Sequence, residues 1–244
     1  MRTGAVDRNT RETQIHIEVL LDGKGTAQID TGIGFFDHML TALSAHSGIS
    51  MVIHTKGDLY VDSHHTVEDT GIVLGEALKQ ALGDKSGICR YGTAYIPMDE
   101  SLAFASLDIS NRPFLVWNGS FATPMIGAFD TNLAEEFFRA FAFHAGITLH
   151  VNMLYGSNDH HKCDSWTNFN SCIKNDKQCD RIWNGNSRTC GADYGIQNND
   201  YEYIPNNHHS YDSCYADHRP SISYLFYFRG NEEKRADQRW GYET

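Results

Sequence analysis

Two dipeptides carry metal-ligating chemistry in this sequence, His64-His65 and His160-His161. A carboxylate follows each at the fourth position after the first histidine, Glu68 in one case and Asp164 in the other. On a helix that spacing puts His64 and Glu68 on one face, roughly 6 Å apart at Cβ and within reach of one ion. His65 lies about 100° further round and points elsewhere, so adjacent histidines serve two different ions. Imidazole and carboxylate donors suit Mn, Fe, Zn or Ni. One His-His pair at a helix start is usually a solvated surface feature. Two copies, each with its carboxylate, outweigh that reading. The cysteines do not compete for this role: Cys163, Cys172, Cys179, Cys190 and Cys214 form no C-x-x-C pair, the spacing that a zinc ribbon or finger needs.

The elements that position these residues read as alternating strands and helices. Thr13–Leu21 alternates, with Ile15, Ile17 and Val19 on one face, as a half-buried strand does. Asp22-Gly23-Lys24-Gly25 reads as a turn that returns the chain as a second strand over Thr26–Asp30. Phe35–His46 is helical and ends at Gly48. A helix opens at His64, with Ser63 as its N-cap and Val67, Gly71, Leu74, Leu78 and Leu82 on one stripe. Leu102–Ile109 reads as a strand, and Leu133–Phe143 as a helix closed by Gly146.

The two halves match. His46-Ser47-Gly48-Ile49 recurs as His144-Ala145-Gly146-Ile147 at an offset of 98, and the His-His pair recurs at an offset of 96. Both matches in one order indicate duplication. The expected fold class is α+β: two similar sheet-plus-helix units, helices on one side of antiparallel sheet, followed by an anomalous tail. The repeat also pairs His38 with Glu136. Both fall mid-helix beside apolar residues, where an uncompensated polar group is costly, and both join the ligand candidates.

Composition divides the chain at Asp164. Residues 165–244 hold 10 of the 16 Asn, 8 of the 12 Tyr and 3 of the 4 Trp, but a single Leu and no Val. A core is not built from that recipe, so residues 1–164 form the duplicated domain, its second unit truncated. Residues 165–244 read as a poorly ordered, out-of-frame or otherwise foreign tail, in which only Ile222–Phe228 resembles a strand. The net charge of −11 argues against affinity for nucleic acid or anionic membranes. No apolar run reaches membrane-spanning length. The N-terminus lacks an apolar signal core, so a cytoplasmic location is expected.

Five motifs sharpen this reading: Gly34-Phe35-Phe36-Asp37-His38-Met39-Leu40, Asp62-Ser63-His64-His65-Thr66-Val67-Glu68-Asp69-Thr70-Gly71-Ile72, Pro97-Met98-Asp99-Glu100, Ser110-Asn111-Arg112-Pro113 and Gly156-Ser157-Asn158-Asp159-His160-His161. With them the sequence, from about residue 1 to Cys163, resembles the imidazoleglycerol-phosphate dehydratases of histidine biosynthesis. The resemblance implies a metal-dependent hydro-lyase that converts imidazole glycerol phosphate to imidazole acetol phosphate. It also implies a 24-subunit homo-oligomer with two manganese ions per active site and ligands drawn from more than one subunit. Carried over by position, one ion takes His38, His65, His160 and Asp164, and the other takes His64, Glu68, His161 and Glu136. The ions would act as Lewis acids. Glu12 is the implied proton shuttle and substrate contact, His46 a substrate contact, and Asp99 a further catalytic candidate. Arg90 and Arg112 are the implied phosphate ligands.

Three departures from the family pattern stand out. Asp164 is one methylene shorter than the expected Glu. Glu136 stands where many members have His. Asn168 occupies the place of a substrate-binding Lys, and no Ser-Thr-Lys follows downstream. The expected consequence is an impaired enzyme. The alternatives are a non-catalytic metal-binding or assembly remnant, or a metal-dependent hydrolase.

Overall fold

The computed structural model describes residues 1–166, with side chains through Cys163. The Asp164 side chain, the tail and its strand-like stretch Ile222–Phe228 lie outside the described residues.

Two four-stranded sheets share one topology. The first unit runs β1 (Thr3–Asn9), β2 (Thr13–Leu20), β3 (Ala27–Asp30), α1 (Gly34–Ser47), β4 (Ser50–Gly57) and α2 (His64–Leu82). The second runs β5 (Tyr91–Met98), β6 (Ser101–Asp108), β7 (Phe114–Asn118), α3 (Leu133–Ala145), β10 (Thr148–Tyr155) and α4 (Asp159–Trp166). A small hairpin, β8 (Met125–Ile126) with β9 (Phe129–Asp130), is inserted before α3. The strand orders are β1-β2-β4-β3 and β5-β6-β10-β7. Element by element the second unit repeats the first, as the offsets of 98 and 96 require.

Two expectations about the sheets need correction. The sheets are mixed: β3 pairs parallel with β4, and β7 parallel with β10. The Asp22–Gly25 turn does not make a hairpin, because β4 takes the place beside β2 and holds β3 at the edge. The reason is the intervening helix. A strand–helix–strand segment returns its second strand parallel to its first, so α1 dictates the β3–β4 pairing and β2 is left to β1 and β4.

Both helix ends read from the sequence hold: Gly48 and Gly146 cap α1 and α3 at φ 64° and φ 69°, left-handed positions that glycine adopts without strain. Ser63 does not cap α2 through its side chain. Its backbone is already helical (φ −91°, ψ −5°), and the Asp62 carboxylate instead accepts the His64 N–H at 2.8 Å. Asn158 does the same for His160, at 3.0 Å. An acceptor two residues ahead of the first histidine therefore opens both helices.

The stripe on α2 is buried as its periodicity predicts, from Val67 to Leu82. It packs on the first sheet and against α3, and both units share one apolar core. The α2–α3 crossing is set by glycine: a Cβ at Gly75 would stand 2.7 Å from the Phe141 carbonyl oxygen and 2.9 Å from the Ala145 nitrogen. Backbone cannot step aside as a side chain can. Gly75→Ala is therefore expected to lower stability by about 1–3 kcal/mol, read as a drop in the thermal midpoint. Gly34→Ala, where no atom stands within 4 Å, is the control and leaves the midpoint unchanged.

Candidate active site

The structure gathers the candidate residues into small groups on separate elements. At the start of α2, His64 Nε2 lies 3.3 Å from the Glu68 carboxylate, as their spacing dictates. The His65 ring stands edge-on at 84° to that of His64, their centroids 6.2 Å apart. Its Nδ1 faces the Asp58 carboxylate at 3.1 and 3.2 Å. That hydrogen bond holds the His65 imidazole above the usual histidine range; burial opposes it, and the charges of Asp58, Glu12 and Asp62 reinforce it. Glu12 sits in the β1–β2 turn. The next residue, Thr13, donates its hydroxyl to Asp69 of α2, which fixes this turn beside the first turns of the helix.

In the second unit the second histidine again meets a carboxylate, but one from a different element. At the start of α4, His161 Nδ1 faces the Glu100 carboxylate at 2.8 Å, and its Nε2 lies 3.3 Å from the Asn158 amide and 3.8 Å from Asp99. Glu100 also accepts the Asn158 N–H at 2.7 Å. The His161 bond and then these backbone bonds push its carboxyl down to about 2. Asp99, at φ 47°, makes the β5–β6 turn. The turn reading of Asp99 holds, and the turn brings Asp99 near His161.

His38 and His160 come together from α1 and α4, their ring centroids 5.4 Å apart. Phe35 packs on His160 at 5.1 Å. His38 is exposed and Glu136 half-buried beside Arg139, so the argument that burial forces a partner on either does not apply. Glu136 borders a cleft of about 680 Å³ formed with the 119–124 loop. His46 is exposed at the far end of α1 from His38.

Arg90 and Arg112 converge. Both guanidinium groups bond Asp108, Arg90 at 2.7 and 3.1 Å and Arg112 at 3.1 Å. They flank the end of the β5–β6 hairpin opposite Glu100, since Tyr91 pairs with Asp108 and Met98 with Ser101. Eight residues of strand separate the two ends, roughly 25 Å at the rise of an extended chain. The arginines of one chain are thus far from its own His161. Among the described residues no group of three or more His, Cys, Asp or Glu side chains converges to hold a metal.

Sequence reasoning missed Asp58 and Glu100. A signal for Glu100 was present in the repeat: Glu12 immediately precedes β2 and Glu100 immediately precedes β6.

Residues 31–169 match the family described as imidazoleglycerol-phosphate dehydratase. The chain belongs to that family. The dehydratase of Ruminiclostridium cellulolyticum is 60% identical over 161 residues, 66% of this chain and 83% of the relative. That of Clostridioides difficile is 59% identical over 165 residues, 68% of this chain and 86% of the relative. Among solved structures, the Staphylococcus aureus imidazoleglycerol-phosphate dehydratase superposes with TM-score 0.64 at 38% identity, covering 71% of this chain and 99% of that one. The Pyrococcus furiosus structure, in complex with (S)-C348, gives 0.61 at 33% identity, covering 70% and 95%. Imidazoleglycerol-phosphate dehydratases are carbon–oxygen hydro-lyases of histidine biosynthesis, and the sheet-plus-helix duplication seen here is found in a chain of that family. No described helix is long and apolar enough to cross a membrane.

Proposed function

We propose that this chain is a manganese-dependent dehydratase acting on imidazole glycerol phosphate, assembled as a 24-subunit homo-oligomer in the cytoplasm, with turnover reduced by its altered C-terminal segment. One observation carries the metal reading. In each His-His pair one imidazole has Nδ1 tied to a carboxylate, His65 to Asp58 and His161 to Glu100. That partnership fixes each ring's orientation, as outer carboxylates do for metal-bound histidines. The donor set of imidazole and carboxylate, with no thiolate, fits manganese.

By this reading His38, His65, His160 and Asp164 hold one ion, and His64, Glu68, His161 and Glu136 the other. When bound, the ions supply Lewis acidity toward the negative charge that develops on the substrate. The protein residues do the rest. Arg90 and Arg112 grip the phosphate, exchanging their bonds to Asp108 for bonds to its oxygens. His46 contacts the substrate. Glu12, held beside α2 by the Thr13–Asp69 bond, takes the carbon-bound proton. The neighbouring carbon releases its hydroxyl, which leaves as water after protonation, with Asp99 at hand beside His161. The resulting enol becomes the ketone of imidazole acetol phosphate.

Assembly is supported by the way one chain divides the residues. The arginines and His161 stand at opposite hairpin ends, and among the described residues no three His, Cys, Asp or Glu side chains gather to hold a metal. Leu59, Tyr60 and Val61, at 40%, 90% and 56% exposure, put an apolar loop beside His64 and His65. Such a patch is typical of an interface.

The test is purification of the full chain with Mn²⁺, followed by particle size, metal content and product formation. Two ions per chain in a large particle with measurable dehydration is the expected result. Phosphate release in place of dehydration would overturn the reading in favour of a hydrolase. The non-catalytic alternative is favoured by Asn168 and the missing Ser-Thr-Lys; metal and assembly with no turnover would establish it. On the same reading, Asp58→Asn and Glu100→Gln each weaken Mn²⁺ binding about 10–100-fold, measured by metal titration, without loss of fold.

A further inference from the structure

A buried ion pair brackets the second histidine dipeptide. Asp159 and Lys162 are 7% and 6% exposed, and they stand immediately before His160 and immediately after His161. Lys162 Nζ donates to Asp159 at 2.8 Å and to the Ser120 carbonyl at 3.2 Å. Asp159 also accepts the Ala122 N–H at 3.0 Å, the Thr123 N–H at 2.7 Å and the Thr123 hydroxyl at 2.8 Å. Burial alone would raise its carboxyl, but the bonds from Lys162, Thr123 and the two backbone N–H groups outweigh it and hold the group well below the usual carboxylate range. From the same loop the Thr123 and Pro124 carbonyls accept the Thr131 hydroxyl at 2.9 and 3.2 Å. Thr131 stands just ahead of α3, on which Glu136 lies.

A continuous chain of hydrogen bonds therefore runs from the His160-His161 turn, through the 120–124 loop, to the first turn of α3. In the first unit no ion pair brackets the dipeptide: Ser63 and Thr66 occupy those positions, and the buried carboxylate of that helix, Asp69, lies further on, bonded to Thr13 and paired with Arg8. A buried pair of charges is an inefficient way to stabilise a fold, since apolar residues of similar volume commonly do as well. It is well suited to fixing geometry, because a desolvated carboxylate with its acceptor sites filled has one low-energy arrangement.

We propose that Asp159 and Lys162 are positioning residues that set His160 and His161 in register with Glu136 through the 120–124 loop, and so govern how tightly the site retains its metal. The inference rests on the metal reading above. The test uses the full chain and three variants: D159N, the double variant D159N/K162M, and T131V. The double variant removes both charges with little change of shape and so avoids stranding one of them. Three quantities are measured: the thermal midpoint, Mn²⁺ affinity by electron paramagnetic resonance, and amide exchange in a peptide spanning 119–124.

The expected result is a double variant with the midpoint of the parent, Mn²⁺ affinity weakened at least about 10-fold, and faster exchange in the loop. T131V shifts both readouts in the same direction by a smaller factor. A double variant that retains the parent's Mn²⁺ affinity, with or without faster loop exchange, overturns the proposal while leaving the metal reading intact. If the double variant does not fold, T131V decides: unchanged Mn²⁺ affinity overturns the proposal. A parent chain that binds no Mn²⁺ overturns the metal reading and this role with it.

Discussion

Exchanging residues 165–244 for the C-terminal segment of the Ruminiclostridium cellulolyticum relative is expected to raise dehydration by roughly 10²–10⁴-fold. The repeat shows why. Helix α2 seats the first unit through Val67, Leu74, Leu78 and Leu82, all buried. At the offset of 96 that relates the histidine pairs, the matching residues are Cys163, Asn170, Lys174 and Gln178. Only Cys163, which is buried, continues the stripe; the other three are polar. An apolar stripe of that kind contributes about 1.5–3 kcal/mol for each buried side chain. Three of them rival the whole stability of an ordinary domain, about 5–15 kcal/mol.

The resemblance also places a substrate-binding Lys at Asn168 and a Ser-Thr-Lys phosphate contact further on, and this chain has neither. Two charged contacts at about 1.5–3 kcal/mol each convert to the stated range at about 1.4 kcal/mol per tenfold. Steady-state kcat/KM and the thermal midpoint of both chains check it, and both are expected to rise on exchange. A parent chain that already matches the relative in rate and midpoint would refute the claim that its tail impairs it.

The elements were legible where local chemistry decides them. Gly48 and Gly146 end their helices because a left-handed cap favours glycine, and the α2 stripe follows a 3.6-residue period that needs no knowledge of its partner. The β3 edge position was not legible. A Gly-rich turn after a strand reads as a hairpin, and only the packing of α1 shows that β4 has displaced β3 from β2. Ser63 failed as a cap because its own backbone is already helical, while Asp62 accepts the His64 N–H from one residue earlier.

The metal candidates could be read from the sequence as pairs because His64, Glu68 and the histidine dipeptides are local in it. Asp58 and Glu100 did not, since a carboxylate that orients a histidine answers to the fold rather than to spacing. Glu100 lies 61 residues from His161 and reaches it only because β5 and β6 form a hairpin whose turn meets the start of α4. Asp159 was quoted within a motif, but its burial against the 120–124 loop has no sequence signature.

The remaining prediction concerns completion of the site by another subunit. His38 and His160 meet on one patch, and His64 stands with Glu68 at the start of α2. Suppose each active site joins the His38–His160 patch of one chain to the His64–His65 face of another. Then His160→Ala and His64→Ala inactivate separately but damage opposite contributions. Each homo-oligomer is expected to lose about 10³-fold or more in rate, the equivalent of several kcal/mol of metal-supplied stabilisation. In particles co-assembled from equal amounts of both, random pairing joins an intact patch to an intact face in about a quarter of sites. Activity should return to that fraction, and Mn²⁺ binding with it. His38→Ala mixed with His160→Ala is the decisive comparison, because both lesions fall on one patch and no pairing repairs them. The measurement is best made in the chain with the exchanged C-terminus, where the signal is largest, with Mn²⁺ content read in parallel in the chain as it stands. Recovery in the first mixture and none in the second assigns the patch and the face to different subunits. Equal failure of both mixtures would mean that one chain supplies the whole ligand set, and would sink the shared site.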